Sequence, residues 1–240
     1  MKFNPYSFSK IDTHESCPRK FKYNYIDKLP REDTDKTALY KGTCIHSMLE
    51  SYPNKSENKL VSKYQYIFDN FMKSKYFSLL KLPRKVEESI SLSNLLETST
   101  SSKTSKSSKL FKGYIDYYTV IESSKNSESS ETSESSETKM LIVDWKTGKY
   151  KLPEYQDYTQ LIYYSMYMFL KYKKVKRIKI MYVYVEHNKD NSMIIKRENL
   201  QNIIKSFLAK INKVENSKFE KNKTRLCDWC PYQEYCSTDD

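Results

Sequence analysis

Lys139-Met-Leu-Ile-Val-Asp-Trp-Lys-Thr-Gly-Lys149 is the stretch on which the reading of this chain depends. An apolar run ends in Asp144-Trp145-Lys146 and is followed by a turn at Gly148, the pattern of a buried strand with a charged exit. Side chains alternate faces along a strand, so Asp144 and Lys146 point one way and Trp145 points into the other layer. A carboxylate beside an ammonium suits phosphodiester hydrolysis. The first can hold a divalent cation, and the second can orient an attacking water or neutralise charge growing on phosphate. A surface Asp-x-Lys is more often only a solvated pair, so the residues on either side must carry the decision.

Immediately upstream lie two strand-like runs, 85–93 and 109–121. In the first, Val86, Glu88, Ile90 and Leu92 alternate with polar residues, the period of a half-buried strand. Between the runs, positions 97–108 hold six Ser and three Thr, and positions 122–138 hold eight Ser, two Thr and five Glu. Such compositions bury no core and read as insertions at the tips of an antiparallel meander. Without the second insertion, the separation of Asp116 from Asp144 falls from 28 to 11 residues. That is hairpin length, and it places the two aspartates on neighbouring strands.

Downstream, 153–171 predicts a helix with Pro153 near its start. Gln160 and Tyr164, four apart, share one of its faces. A strongly apolar strand follows at 177–186 with a partner at 192–197, then an amphipathic helix at 198–219. Further from the centre, 37–52 predicts a helix whose apolar stripe includes Leu39, Ile45, Met48 and Leu49. Gly42 and His46 lie together on another side of it. The stretch 57–77 reads as a long Lys- and aromatic-rich helix. All three glycines sit beside candidate residues: Gly42 before His46, Gly113 before Asp116, Gly148 after Lys146. In so glycine-poor a chain this suggests close backbone approach or special torsions. A His, two Asp and a Lys are what a hydrolytic Mg²⁺ or Mn²⁺ site uses, whereas His14 and His187 read as structural.

The two ends of the chain carry a second group. The N-terminal segment from Ser7 to Tyr25 predicts two short helices divided at Cys17-Pro18, with serines suited to the N-cap. Cys227-x2-Cys230-x5-Cys236 closes the chain, and Cys44 is left over. Four thiolates from Cys17, Cys227, Cys230 and Cys236 can bind tetrahedral Zn²⁺ or a [4Fe–4S] cluster, and spacing alone does not decide between them.

The 240 residues suffice for one sizeable core. The 42 basic residues against 30 acidic ones leave a charge of +12, which favours a polyanionic partner. That argument is weakened by the heavy bias to Lys, which looks like an AT-rich coding sequence. The run 171–179 has six basic residues in nine and suits phosphate contact. Exposed tyrosines can stack on bases of single strands. There is no apolar signal segment and no bilayer-spanning run, so a soluble, intracellular protein without a membrane partner is expected.

Taken together, Cys17-Pro18 in its helical setting, Gly42-Thr-Cys-Ile-His46, Gly113-Tyr-Ile-Asp116, Val143-Asp-Trp-Lys-Thr-Gly148, Gln160-Leu-Ile-Tyr-Tyr164 and the C-terminal cysteines stand in the order seen in RecB-type nucleases. The chain therefore resembles the iron–sulfur branch of the PD-(D/E)XK superfamily, which includes CRISPR-associated exonucleases and the nuclease domains of helicase–nucleases. The resemblance implies an α/β, restriction-endonuclease-like mixed sheet flanked by helices, in a single domain over 1–240. Its catalytic core would span 37–197, and 7–25 with 222–238 would join the chain ends around a [4Fe–4S] cluster on Cys17, Cys227, Cys230 and Cys236. It implies His46, Asp116, Asp144 and the Trp145 carbonyl as metal ligands, Lys146 as the catalytic lysine, and Gln160 with Tyr164 touching DNA or supporting the site. The expected activity is Mg²⁺- or Mn²⁺-dependent hydrolysis of DNA, exonucleolytic on single strands or ends. The alternative is a non-catalytic iron–sulfur DNA-binding subunit of a recombination or repair complex. No G-x-x-x-x-G-K-[ST] loop occurs, so any helicase partner is another chain.

Overall fold

A computed structural model describes residues 5–31, 36–54, 61–92, 111–121 and 138–238. Both serine-rich insertions lie outside the described residues, apart from Thr138. The chain divides into two compact units: residues 1–35, 91–113 and 204–240 form one, and residues 36–90 and 114–203 form the other. Among the described residues no helix is long and apolar enough to cross a membrane.

The second unit holds most of a five-stranded sheet whose spatial order follows the sequence: β1 (Lys85–Leu92), β2 (Phe111–Ile121), β3 (Lys139–Lys146), β4 (Arg177–Tyr184) and β5 (Lys189–Lys196). β2 and β3 are antiparallel, β3 and β4 parallel, and β4 and β5 antiparallel. Parallel neighbours need a crossover, and α5 (Thr159–Lys171) supplies it, packing on β3 and β4. On the other face Leu141, Val143 and Trp145 form one apolar cluster with Met181, Val183 and residues of α3 (Thr37–Ser51) and α4 (Val61–Met72). The alternation anticipated for β3 thus holds. Leu141, Val143 and Trp145 enter this core, and Phe71 and Tyr117 meet the Trp145 indole edge-on at 5.7 and 5.8 Å.

Several element boundaries differ from expectation. The helix anticipated over 153–171 begins only at Thr159, because the Asp157 carboxylate accepts from the Thr159 N–H at 2.8 Å and its hydroxyl at 2.6 Å. Pro153–Tyr155 is a separate 3-10 turn. The long helix expected over 57–77 stops at Met72 and gives way to a 3-10 segment, Lys75–Lys81, in which Tyr76 and Leu80 are buried. The last long helix, α6, is Leu200–Glu215, shorter at both ends than 198–219. Leu39, placed in the apolar stripe of α3, is 66% exposed, while Ile45, Met48 and Leu49 are buried. It falls in the first turn of the helix, before the core begins.

The first unit contains α1 (Phe8–Ser16), α2 (Pro18–Tyr25) and α7 (Gln233–Thr238), with most of α6. Ser7 caps α1, its hydroxyl accepting from the Lys10 N–H at 3.2 Å. Pro18 opens α2 at the position where a missing N–H costs nothing. Phe21 stacks on Phe219 at 6.0 Å, and His14 packs edge-on against both rings. This is the structural setting expected of that histidine, and burial lowers its pKa. Phe111 meets Phe207 edge-on at 5.1 Å.

Candidate metal centre

The register of β2 and β3 runs to Tyr117↔Val143, so one step further Asp116 stands across from Asp144. Directly opposed residues of an antiparallel pair project from the same face. Asp116 Oδ2 accepts from the Trp145 N–H at 3.0 Å, which ties the carboxylate to the exit of β3. Asp144 is 6% exposed, and its Oδ2 lies 2.7 Å from Lys146 Nζ. The ammonium also sits 4.8 Å above the Tyr182 ring, a cation–π contact that fixes its position. The carboxylate–ammonium pairing inferred from the i, i+2 spacing is therefore present.

His46 reaches the same place from α3. Its Nε2 is 2.9 Å from the Trp145 carbonyl oxygen, and its Nδ1 is 3.5 Å from Asp116 Oδ2. With Nε2–H donating to that carbonyl, the Nδ1 lone pair is left facing the carboxylate. Burial holds the imidazole pKa below its usual value, which keeps the ring neutral and able to act as a ligand. Trp145 thus serves three partners at once: its indole fills the core, its N–H holds Asp116 and its carbonyl holds His46.

One participant escaped the sequence reading. His46, Glu87 and Asp116 each present a ligand atom, and these atoms all lie within 4.8 Å of one another. Glu87 sits on the polar side of β1, where alternation marks it only as solvent-facing. Its φ of 48° is a left-handed conformation that a residue with a side chain adopts at a cost. No sequence signal announces such a kink in a strand without glycine. Asp144 stands outside this tight group of three, paired with Lys146, though its charge bears on Asp116 and His46.

The residues fit a divalent cation on electrostatic grounds. Burial first, then the Asp144 and Glu87 charges, push the Asp116 carboxyl up to about 8. Near neutral pH the isolated protein relieves this crowding by holding a proton, and a cation would replace it. A carboxyl whose folded pKa lies above its unfolded one stabilises the fold at low pH and loses that contribution as pH rises through the folded value. Metal-free protein should therefore lose thermal stability between about pH 4 and about pH 8 at this group. Added Mn²⁺ should raise Tm more at about pH 9 than at about pH 6, where it must displace the proton. Melting curves with and without Mn²⁺ across this range check the sign, and an equal or larger shift at the acidic end would contradict it.

Around this centre, Gln160 Nε2 donates to the Tyr164 hydroxyl at 3.0 Å. Tyr164 is 5% exposed and lies beneath the strand carrying Asp116, a supporting position rather than a surface one. Gly42 packs against the loop after β3: a Cβ there would meet Thr147 Oγ1 at 3.4 Å. The special torsions anticipated for glycine are absent among the described residues, since no glycine has positive φ, and Gly148 faces open space. The C-terminal part of the basic run, 177–179, is remote from Lys146. Arg177 pairs with Lys139 at the opposite end of β3 from Lys146, seven residues or about 23 Å away. Lys171 is ion-paired with Glu88.

In the first unit Cys17, Cys227, Cys230 and Cys236 line a single cavity of about 580 Å³. All four are partly exposed free thiols, whereas the leftover Cys44 is buried in the core of the second unit. A short 3-10 turn, Arg225–Trp229, and α7 present the C-terminal three. The Asn222 side-chain amide donates to the Ser16 carbonyl at 2.8 Å and binds this segment to the residue before Cys17. Arg19, Lys20, Lys221 and Lys223 line the same cavity, and among the described residues no carboxylate does.

A mixed sheet with one parallel crossover, flanked by helices on both faces and ending in a carboxylate–imidazole–ammonium cluster, defines a restriction-endonuclease-like α/β protein. The family model of the PD-(D/E)XK nuclease superfamily matches residues 5–115 and 132–237, and the chain belongs to that superfamily. The crystal structure of a Eubacterium rectale protein provisionally named an exonuclease aligns over 96% of this chain and 88% of that one. Its TM-score is 0.52 at 14% identity, a likeness of fold. The structure of SSO0001 aligns over 99% of this chain and 87% of that one, at TM-score 0.43 and 12% identity. No curated protein matches the sequence.

Proposed function

We propose that the chain is a Mg²⁺- or Mn²⁺-dependent deoxyribonuclease, acting as an exonuclease on single-stranded DNA or DNA ends. The observation that carries this reading is the meeting of a neutral imidazole, the carboxylates Glu87, Asp116 and Asp144, and the Lys146 ammonium at the exit of β3. The donors nearest one another, His46, Glu87 and Asp116, would hold the cation, with Asp144 and the Trp145 carbonyl beside them. A bound divalent cation supplies Lewis acidity to the phosphoryl group and lowers the pKa of a water. The protein's own part is positional. Asp116 gives up its proton to admit the ion, and His46 stays neutral with its Nδ1 lone pair directed inward. Lys146, steered by Asp144 and the Tyr182 ring, opposes the charge that grows on phosphate.

For the cysteine group the proposal is a [4Fe–4S] cluster. The cationic lining suits the net negative charge of a thiolate-bound cluster. A non-catalytic DNA-binding subunit would keep this cluster but would have no use for the Asp144–Lys146 pair.

The test is a panel of end-labelled single-stranded, duplex and end-blocked DNA, incubated with anaerobically purified protein and Mg²⁺, Mn²⁺ or EDTA. Stepwise shortening from free ends, only with a cation present, is the expected result. Internal fragments from end-blocked DNA would overturn exonucleolytic action, and intact DNA under every condition would overturn the nuclease reading.

A further inference from the structure

Tyr114 precedes Asp116 by two residues on β2, so its ring leaves the same face of the strand about 7 Å away. Tyr117 and Tyr118, on the same strand, are fully buried, whereas Tyr114 is 63% exposed. Exposing a large ring beside a candidate centre is useful only if the ring is held still, and here its backbone is. The Tyr114 N–H is directed at the Tyr164 hydroxyl, which in turn accepts from Gln160. The result is an aromatic plate with two side-chain torsions on a clamped strand, a contact surface of low entropic cost.

We propose that Tyr114 stacks on the nucleobase next to the scissile phosphate and so selects unpaired DNA. This deepens the nuclease reading and rests on it. A phosphate bound through a cation at Asp116 would have its neighbouring base one sugar away, a span comparable to the strand-face repeat that separates Asp116 from Tyr114. Every base offers a π-face, so the contact is indifferent to sequence. In a duplex both faces of each internal base are covered by its neighbours. The ring therefore finds a partner only on a single strand or at a frayed end. Gln160 and Tyr164 are positioning residues in this scheme: they fix the strand that carries both the plate and the ligand.

The experiment measures binding by fluorescence anisotropy with Ca²⁺ in place of Mg²⁺, using a single-stranded oligonucleotide and versions with one abasic position moved along the end. Stacking worth about 1–3 kcal/mol per base corresponds to roughly 5- to 150-fold in Kd. Tyr114→Ala should weaken binding of the intact strand within that range, while Tyr114→Trp retains it. At one abasic position wild type should fall to the level of Tyr114→Ala, and the variant should lose nothing more there. An unchanged Mn²⁺-induced Tm shift in Tyr114→Ala would show that the fold and centre persist. Equal affinities of wild type and Tyr114→Ala, or an abasic penalty that survives in the variant, would overturn the stacking role alone. A wild-type protein that neither binds nor cuts any DNA would end the nuclease reading, and the stacking role with it.

Discussion

Lys146→Ala is expected to slow DNA cleavage by roughly 10²–10³-fold, the usual cost of removing one preorganised charge from a developing transition state. The ammonium is fixed by two contacts, Asp144 Oδ2 at 2.7 Å and the Tyr182 ring at 4.8 Å, so no mobile neighbour replaces it. The cation should still bind, since His46, Glu87 and Asp116 are untouched, and the Mn²⁺-induced Tm shift should survive. The expected signature is therefore a fall in kcat with little change in KM or metal affinity. Lys146→Gln keeps a donor for the buried Asp144 carboxylate, and should match the rate loss with a smaller loss of stability. Cleavage by Lys146→Ala at the wild-type rate would remove the lysine from the mechanism.

The other large effect concerns the chain ends. With the proposed cluster in place, anaerobically purified protein is expected to carry iron and acid-labile sulfide and to be brown, and replacing Cys227 or Cys236 by Ser should abolish all three. It should also markedly destabilise the unit formed by residues 1–35, 91–113 and 204–240. That unit's α2 and α7 are short, and a cavity of about 580 Å³ lies among Cys17, Cys227, Cys230 and Cys236. Where thiolates hold a metal group, binding free energy is folding free energy, on the order of 10 kcal/mol for structural zinc peptides. Proteolysis and hydrogen exchange of this unit read the loss. Cys44→Ala is the contrasting substitution: it lies in the other core and should keep iron and colour at the cost of a small cavity. Stoichiometric zinc in a colourless wild-type protein would replace the cluster proposal.

Much of the core was legible because it depends on short-range periodicity. Alternation along β3 separates Asp144 and Lys146 from Trp145, and the 3.6-residue pattern marks Ile45, Met48 and Leu49 as the inner face of α3. Subtracting a serine-rich insertion was enough to bring Asp116 beside Asp144. What stayed hidden depends on tertiary placement. Glu87 joins the centre from a strand where polarity alone says solvent, through a backbone kink with no glycine to betray it. The basic run 171–179 suited phosphate contact in one dimension, but the parallel register of β3 and β4 carries its 177–179 part to the far end of the sheet, and Lys171 is taken up by Glu88. The start of α5 was misplaced because Pro153 is as acceptable to a 3-10 turn as to a helix. The Asp157 side chain, rather than the proline, decides where the helix begins.

The triple engagement of Trp145 has a mechanical corollary. Because one residue anchors the hydrophobic interior through its ring and grips two donor groups through its peptide, no slack joint separates packing from coordination. Trimming Phe71, whose ring abuts that indole from α4, should register as weakened affinity for the ion before it registers as unfolding. In this molecule the interior is part of the instrument that measures out the geometry of its centre.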